Sequence, residues 1–301
     1  MSMNTWRGGE NVTDGFEKIV QHIIAINPHI VAFQENTLRE TKKICKELNL
    51  RLPASDGGEW VYCQGVAPEA PVAYVVTRLP VILDYKPVGR SRNSGCLIRV
   101  RRSPSIYVSV WSVHLTPHYY GPAEACEMSG KENRTEDILM ANEKLHRGRY
   151  EDVTTLVQHA SFSARSISVI LAGDFNVPSH LDWTEETKMR HCNSTCKWPV
   201  SVMLEDLGFL DTYRLLNPDP LASPGDTWSP VMKRYKYGFG GSTIDYTEPQ
   251  DRIDFIYFKG DNMLPSSSRV YYGNGTLNFF PYHSNNDWPS DHAAVITDFI
   301  F

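Results

Sequence analysis

The apolar residues of this chain come in short runs that stop on a polar side chain. Ile30 to Phe33 runs into Gln34-Glu35, and Val169 to Ala172 runs into Gly173-Asp174. Runs of this length suit buried strands and fall far short of the roughly 18 residues that a membrane span needs. A transmembrane anchor is therefore excluded, and a sheet-centred core is expected. The 301 residues are 41% hydrophobic and 22% charged, enough apolar material to close one large core. No repeat, low-complexity tract or linker divides the chain, so residues 1–301 are read as one domain.

Helical and strand periods alternate along the sequence. Phe16, Ile19, Val20, Ile23 and Ile24 recur at the helical period between Asp14 and Ile26, and Asn27-Pro28 stops that helix. A second helix is expected from Thr37 to Leu48. Strands follow at Trp60 to Gln64, Val72 to Thr77, Val81 to Tyr85, Cys96 to Arg101 and Ser105 to Leu115. Tyr119 to Arg134 reads as a polar loop, Thr135 to about Ala164 as one helix, and Ile167 to Ala172 as another strand. A short helix is expected over Val202 to Leu207. Pro218 to Gln250 reads as long loops around Thr227-Trp228, and Arg252 to Phe258, Ser268 to Tyr272 and Ala293 to Phe301 as the closing strands.

Polar residues at strand ends can converge from distant parts of a chain. Here they are Asn4, Glu35, His114, the Asp174-Phe175-Asn176 segment, Asp254 and Ser290-Asp291-His292. Taken singly, Asp174 and Asn176 fit an Asx-turn or cap, Glu35 a solvated strand end, and His114 a structural histidine. Asp254 lies inside an Ile-Asp-Phe-Ile run, where a carboxylate needs a partner, and His292 is its natural one. As a set, Glu35, Asp174, Asp291, Asn4 and Asn176 are oxygen donors without a thiol. Such donors favour Mg²⁺, with Mn²⁺ or Ca²⁺ as alternatives, over zinc. A carboxylate-held cation beside a His-Asp dyad suits hydrolysis of a phosphate ester by in-line water attack.

In order along the chain, these motifs resemble the endonuclease/exonuclease/phosphatase superfamily, the DNase I-like phosphoesterases. They are Met3-Asn4-Thr5-Trp6, Gln34-Glu35, Val113-His114-Leu115, Gly173 to Asn176, Arg252-Ile253-Asp254 and Ser290 to His292. The resemblance implies a four-layered α/β sandwich, two mostly antiparallel sheets flanked by helices. It also implies that Glu35, Asn4 and Asp291 hold the metal, and that Asp174 and Asn176 position water and phosphate. His292, oriented by Asp254, would act as base or proton donor, and His114 would stabilise the transition state or the leaving oxygen. Whether His292 or Asp174 takes the water's proton stays open.

Departures keep the substrate open among small organophosphates, phospholipid headgroups and nucleic acid. Trp6 stands where apurinic endonucleases carry Asp, and the inositol-polyphosphate phosphatase signatures survive only as fragments in Leu171 to Pro178 and Glu248 to Arg252. Phosphodiester hydrolysis is the expectation, with a nuclease or a catalytically silent binding protein as alternatives. Lys and Arg total 30 against 35 Asp and Glu, giving a charge of -5, which speaks against passive binding of a polyanion.

Trp6, His118, Tyr119, Tyr120, His180, Trp183 and Trp288 lie around the expected site and could stack a base, cover a sugar or face a lipid headgroup, although each taken singly reads better as structural packing. Arg147 and Arg149 could contact phosphate, although on a polar helix they read as solvated. Cys192 and Cys196, beside His191, are two ligands short of a zinc site and fit a local disulfide or two thiols. Six cysteines leave the compartment open. Four N-x-S/T sequons, at Asn11, Asn133, Asn193 and Asn274, exceed the roughly two expected by chance. The opening residues show no signal peptide and read like the end of a strand. An exported monomer whose leader is absent is the expectation, with a cytoplasmic protein as the alternative.

Overall fold

A computed structural model describes residues 1–52, 58–63, 72–89, 93–128, 136–146, 148–159, 162, 167–239 and 242–301. The first six-stranded sheet holds β1 (Ser2–Asn4), β2 (Ile30–Asn36), β3 (Val61–Tyr62), β4 (Val72–Thr77), β13 (Leu264–Tyr271) and β14 (Ala294–Ile300), in the order β13-β14-β1-β2-β4-β3. The second holds β5 (Val81–Asp84), β6 (Ser94–Arg102), β7 (Ser105–His114), β8 (Ser168–Asp174), β9 (Leu210–Asp211) and β12 (Asp254–Lys259), in the order β5-β6-β7-β8-β12-β9. Both are mostly antiparallel, with one parallel pair each, β1 with β2 and β7 with β8. Among the described residues, no helix is long and apolar enough to cross a membrane.

The sheets pack face to face through Ala32, Val75, Val108, Val110, Ile170, Ile256 and Val295. On the outer face of the first sheet, α1 (Gly15–Ile26) and α2 (Leu38–Arg51) bury Ile19, Val20, Ile23, Ile44 and Leu48 against Met3, Val31 and Phe33. On the outer face of the second, α4 (Glu136–His146), α5 (Arg149–Val157) and α6 (Pro199–Asp206) bring Leu139, Val153, Leu156, Val200 and Leu204 onto Trp111, Val113 and Leu171. This is the expected four-layered sandwich. Local chemistry agrees with it: Thr37 and Glu40 close a reciprocal capping box at the start of α2, and Asn27 ends α1 in the left-handed region just before Pro28.

Four sequence expectations need correction. The helix anticipated from Thr135 to Ala164 is two, α4 and α5, broken where Gly148 takes φ 72°. The loop anticipated from Tyr119 contains α3 (Gly121–Met128), and the loops anticipated from Pro218 contain a hairpin, β10 (Arg234–Phe239) with β11 (Ser242–Thr247). Arg149 is fully buried and not solvated. Its guanidinium pairs with Glu143 at 2.6 Å and donates to the carbonyls of Thr116, His118 and Tyr119 at 2.8, 3.0 and 3.2 Å. It therefore shapes the loop that leaves β7. Arg147, Asn133 and Gln64 lie outside the described residues.

Cys192 does not bond Cys196. It pairs with Cys126, tying α3 to the segment before α6, while Cys63–Cys96 joins the two sheets. Cys196 is a buried thiol, so no zinc site forms there. Cys63 and Cys96 are wholly buried, whereas Cys126 and Cys192 are partly exposed. Brief treatment with dithiothreitol without denaturant is expected to open Cys126–Cys192 and spare Cys63–Cys96, since thiolate attack needs access to sulfur. Alkylation followed by peptide mass spectrometry checks this; equal loss of both bridges would refute it.

Candidate active site

Strand register assembles the site. In the second sheet, His114 of β7 lies opposite Asp174 of β8, and Asp174 lies opposite Asp254 of β12. Three chemistry-bearing residues thus stand in a row across adjacent strand ends. In the first sheet, Asn4 of β1 lies opposite Gln34 of β2, so Glu35 follows at the same edge. Because β14 pairs with β1, Ser290-Asp291-His292 ends at that edge too. Gln34 Nε2 donates to Ser112 Oγ at 3.0 Å, and Ser112 Oγ donates to the Phe33 carbonyl at 2.9 Å, which pins the two sheet edges together.

Asn4 Nδ2 donates to Asp174 Oδ2 at 3.0 Å and to Glu35 Oε1 at 3.4 Å. Asp174 Oδ1 accepts the Asn176 N–H at 2.8 Å, and Asn176 Nδ2 donates to the Leu115 carbonyl at 2.9 Å. The second Asp174 oxygen faces His292 Nε2 and His114 Nε2, each at 3.7 Å. His292 Nδ1 lies 2.9 Å from Asp254 Oδ2. One hydrogen-bonded line therefore runs from Glu35 through Asn4 to Asp174, with the His292-Asp254 dyad beside it. All eight predicted residues, Asn4, Glu35, His114, Asp174, Asn176, Asp254, Asp291 and His292, meet at this end of the sandwich.

Burial sets the electrostatics. It raises the Asp174 carboxyl, an effect that the His292 charge opposes. Burial by itself would lower His292; the charges of Asp254, Asp174 and Asp291 and the Asp254 hydrogen bond outweigh it and hold the imidazole well above its ordinary value. Asp291 is pushed up to about 7, first by burial and then by the Glu35 charge, against the opposing effect of His292. Glu35, Asp291 and Asn4 are hard oxygen donors, and a divalent cation between the two carboxylates would remove their mutual repulsion. The donor set therefore fits such a cation. Asp174, Asp254 and His292 also bring ligand atoms within 4.8 Å of one another. There Asp254 Oδ2 and His292 Nδ1 hold each other, which leaves Asp254 Oδ1 and His292 Nε2 as the atoms open to a cation.

Strain concentrates here. Trp6, Arg7, Glu35 and Asn176 are non-glycine residues at φ 48°, 57°, 58° and 52°. Each such residue costs about 1 kcal/mol or more, so the surrounding hydrogen bonds must hold it. Trp6 N–H donates to Asn4 Oδ1 at 3.0 Å and Arg7 N–H to Glu35 Oε2 at 3.1 Å. The largest contribution that sequence reading missed is Thr227. Its hydroxyl accepts the N–H groups of Ile253 and Asp254, both at 3.0 Å, and its carbonyl accepts from Ala293, so one residue fixes both halves of the dyad. The Trp228 ring lies 4.8 Å from His292. Ser290 Oγ donates to the Asn4 carbonyl at 2.7 Å and accepts the His292 N–H at 3.0 Å. The long loop centred on Thr227-Trp228 was the sequence signal for the first of these.

Of the aromatic residues expected at the site, Trp6 stays beside it. Trp288 is core, with its ring 5.0 Å from His22 and its Nε1 donating to the His292 carbonyl at 2.6 Å. His180 bonds Ser201 and Glu205, and His118 and Tyr119 point to solvent. Trp183 stacks on His191 at 4.5 Å and donates to Asp251 Oδ1 at 2.8 Å, while Tyr120 donates to Asp251 Oδ2 at 3.1 Å. Trp183 and Trp288 were recruited by the packed layers, where they bury more area, whereas His118 and Tyr119 stay in water. A cavity of about 430 Å³, lined by Ile30, Ala32, Val110, Ile170, Ile256 and Phe299, opens at the other end of the sandwich and holds none of the site residues.

Asp251 makes a pH prediction. Burial lifts its carboxyl to about 7 from an ordinary 3.8, partly offset by the Trp183 and Tyr120 hydrogen bonds. The folded state then binds this proton more tightly than the unfolded state does. Stability from this group is intact below about pH 4, falls as pH rises and is fully lost above about pH 7, a loss on the order of 4 kcal/mol. Asp251→Asn is expected to be more stable than wild type at pH 8 and less so at pH 4, as measured by urea unfolding across that range. A difference that does not change with pH would refute it.

The sequence profile of the endonuclease/exonuclease/phosphatase family matches residues 1–292. An uncharacterized protein of Caenorhabditis elegans is 36% identical over 306 residues, covering all of this chain and 90% of that protein. Among solved structures, Danio rerio TDP2 complexed with a single-strand DNA product aligns with a TM-score of 0.58 at 11% identity, over 100% of this chain and 98% of that one. A Bacteroides thetaiotaomicron mannosyl-6-phosphatase aligns at 0.54 and 14%, over 100% and 98%. The two solved structures share the fold, and the profile together with the nematode relative shows that the chain belongs to the endonuclease/exonuclease/phosphatase family.

Proposed function

We propose that the protein is a divalent-metal-dependent phosphodiesterase, with Mg²⁺ as the ion. The observation that carries this reading is the unbroken polar line from Glu35 through Asn4 to Asp174, with His292 held on Asp254 at 2.9 Å beside it. Glu35, Asp291 and Asn4 would hold the ion. When bound, it supplies positive charge to the non-bridging phosphate oxygens. Asp254 fixes the tautomer of His292 and leaves Nε2 pointed at the Asp174 side, where it can take a proton or donate one to phosphate oxygen. Asn176 is held by its backbone N–H on Asp174 and its Nδ2 on the Leu115 carbonyl, which fixes the side chain that would help to position the phosphate. His114, on the far side of Asp174, stabilises charge on the leaving oxygen. With every polar position filled by a competent residue, a catalytically silent binding protein is the weaker reading.

The test is hydrolysis of bis(p-nitrophenyl) phosphate against p-nitrophenyl phosphate, with Mg²⁺ and with chelator. Diester turnover that exceeds monoester turnover and vanishes with chelator supports the reading; chelator-resistant turnover sinks it. We further propose an extracytoplasmic location. The two disulfides and the exposed sequons at Asn193 and Asn274 support it.

A further inference from the structure

We infer that the substrate is a lipid phosphodiester met at a zwitterionic phospholipid surface, and that an aromatic edge of Trp6, Phe279, Phe280 and Tyr282 docks that surface. This rests on the phosphodiesterase reading and names its substrate class. The connection from β13 to β14 ends in Ser290-Asp291-His292, so residues 272–293 lie at the catalytic end of the sandwich. Within it, Phe279 and Phe280 are 52% and 51% exposed and Tyr282 is 80% exposed. Three large rings within four residues, facing water beside a catalytic centre, form an apolar patch that favours an apolar partner.

The patch is continuous with the site. Trp6, two residues beyond Asn4, has its ring 4.9 Å from His283, and His283 stacks on Phe280 at 5.1 Å. His283 is 8% exposed, so a ladder of rings leads from the mouth of the site out to solvent. The left-handed backbone at Trp6 places its ring there at a conformational cost. The protruding turn is also held firmly. Phe280 N–H donates to the Val231 carbonyl at 3.0 Å and Tyr282 N–H to Phe279 at 2.8 Å. Asn286 brackets Asn278 with hydrogen bonds of 2.8 and 2.9 Å. The rings are presented by a fixed backbone.

Charge decides between a lipid surface and a nucleic acid. A single strand stacked on these rings would need cations tracking its phosphates. Residues 272–293 carry Asp287 and Asp291 and no Lys or Arg. Around them Lys233, 5.8 Å from the Phe279 ring, has its ammonium committed to Ser229 and Gln250, Lys18 donates to the Asn286 carbonyl at 2.8 Å, and the exposed Arg7 beside Trp6 is a single cation where a strand would need a row. With a chain charge of -5, a zwitterionic bilayer is the better match than an anionic polymer.

The experiment is co-sedimentation of the chelator-treated, and hence non-turning-over, protein with phosphatidylcholine vesicles. The Phe279→Ala, Phe280→Ala, Tyr282→Ala triple variant is compared with wild type, and thermal unfolding reports its folding. Wild type is expected to sediment with the vesicles, and the triple variant to bind at least about tenfold more weakly. Tyr282→Ala alone, at the most exposed position, should weaken binding about threefold and keeps the test open if the triple variant fails to fold. An oligothymidylate should not displace the vesicles. No vesicle binding by wild type, equal binding by the variants, or an oligothymidylate affinity that the variants lose would each overturn the inference. Failure of the phosphodiesterase reading appears separately, as absent chelator-sensitive hydrolysis of the soluble diester.

Discussion

His292→Ala should lower kcat on a soluble phosphodiester by about 10³-fold, the middle of the range for loss of a positioned proton-transfer group. KM should change little, because the imidazole is buried behind Asp174 and contributes to the reacting centre more than to substrate binding. The same dyad allows a sharper measurement. Asp254→Asn removes the charge that raises the imidazole, while the amide oxygen can still accept from Nδ1 and hold the ring. The His292 proton should then be lost at lower pH. If His292 is the base, the acidic limb of the kcat/KM profile moves to lower pH; if it is the donor, the basic limb moves to lower pH. A profile with neither limb displaced, or an alanine variant that retains wild-type kcat, removes His292 from the reaction.

Glu35→Gln should cost about 10² to 10⁴ in kcat/KM at fixed Mg²⁺, the effect expected when the charge that holds the ion is lost. Glu35 makes no direct bond to the dyad: its two oxygens accept from Asn4 Nδ2 and the Arg7 N–H, and a glutamine oxygen can keep one of these contacts while Asn4 stays held on Asp174 at 3.0 Å. The fold should therefore hold while ion affinity drops. Titrating Mg²⁺ or Mn²⁺ into the variant should restore part of the activity at concentrations well above those wild type needs. Calorimetric binding of Mn²⁺, which does not depend on turnover, should weaken in parallel. Unchanged metal affinity in Glu35→Gln would move the ion elsewhere, with the Asp174, Asp254 and His292 group as the next candidate.

Much of the layer structure was legible because it depends on local periodicity. The helical period over Phe16 to Ile24 became α1, and the short apolar runs became β2 and β8. Tertiary packing overrode local appearance elsewhere. Arg149 looks solvated on a polar helix until Glu143 and three carbonyls surround it. The partner of Cys192 lies 66 residues away and not four, since α3, unseen in the sequence, carries Cys126 to it. Gly148, at φ 72°, is the sequence position that marks the split between α4 and α5.

The residue types at the site, and their places at strand ends, are properties of the sequence: an oxygen-rich set with two histidines already selects the class of chemistry. Which atoms meet is not, because that is decided by strand register and by the packing of the two sheets, as in the bonds from Asn4 to Asp174, 170 residues on, and from Ser290 to Asn4, 286 residues apart. A shift of one residue in either parallel pair would turn these side chains to the opposite face. Such pairing energy belongs to no local segment. The same holds for the rings. Their number is written in the sequence, but whether each was buried, as Trp183 and Trp288 are, or left in water, as Phe280 and Tyr282 are, was decided only when the outer layers closed.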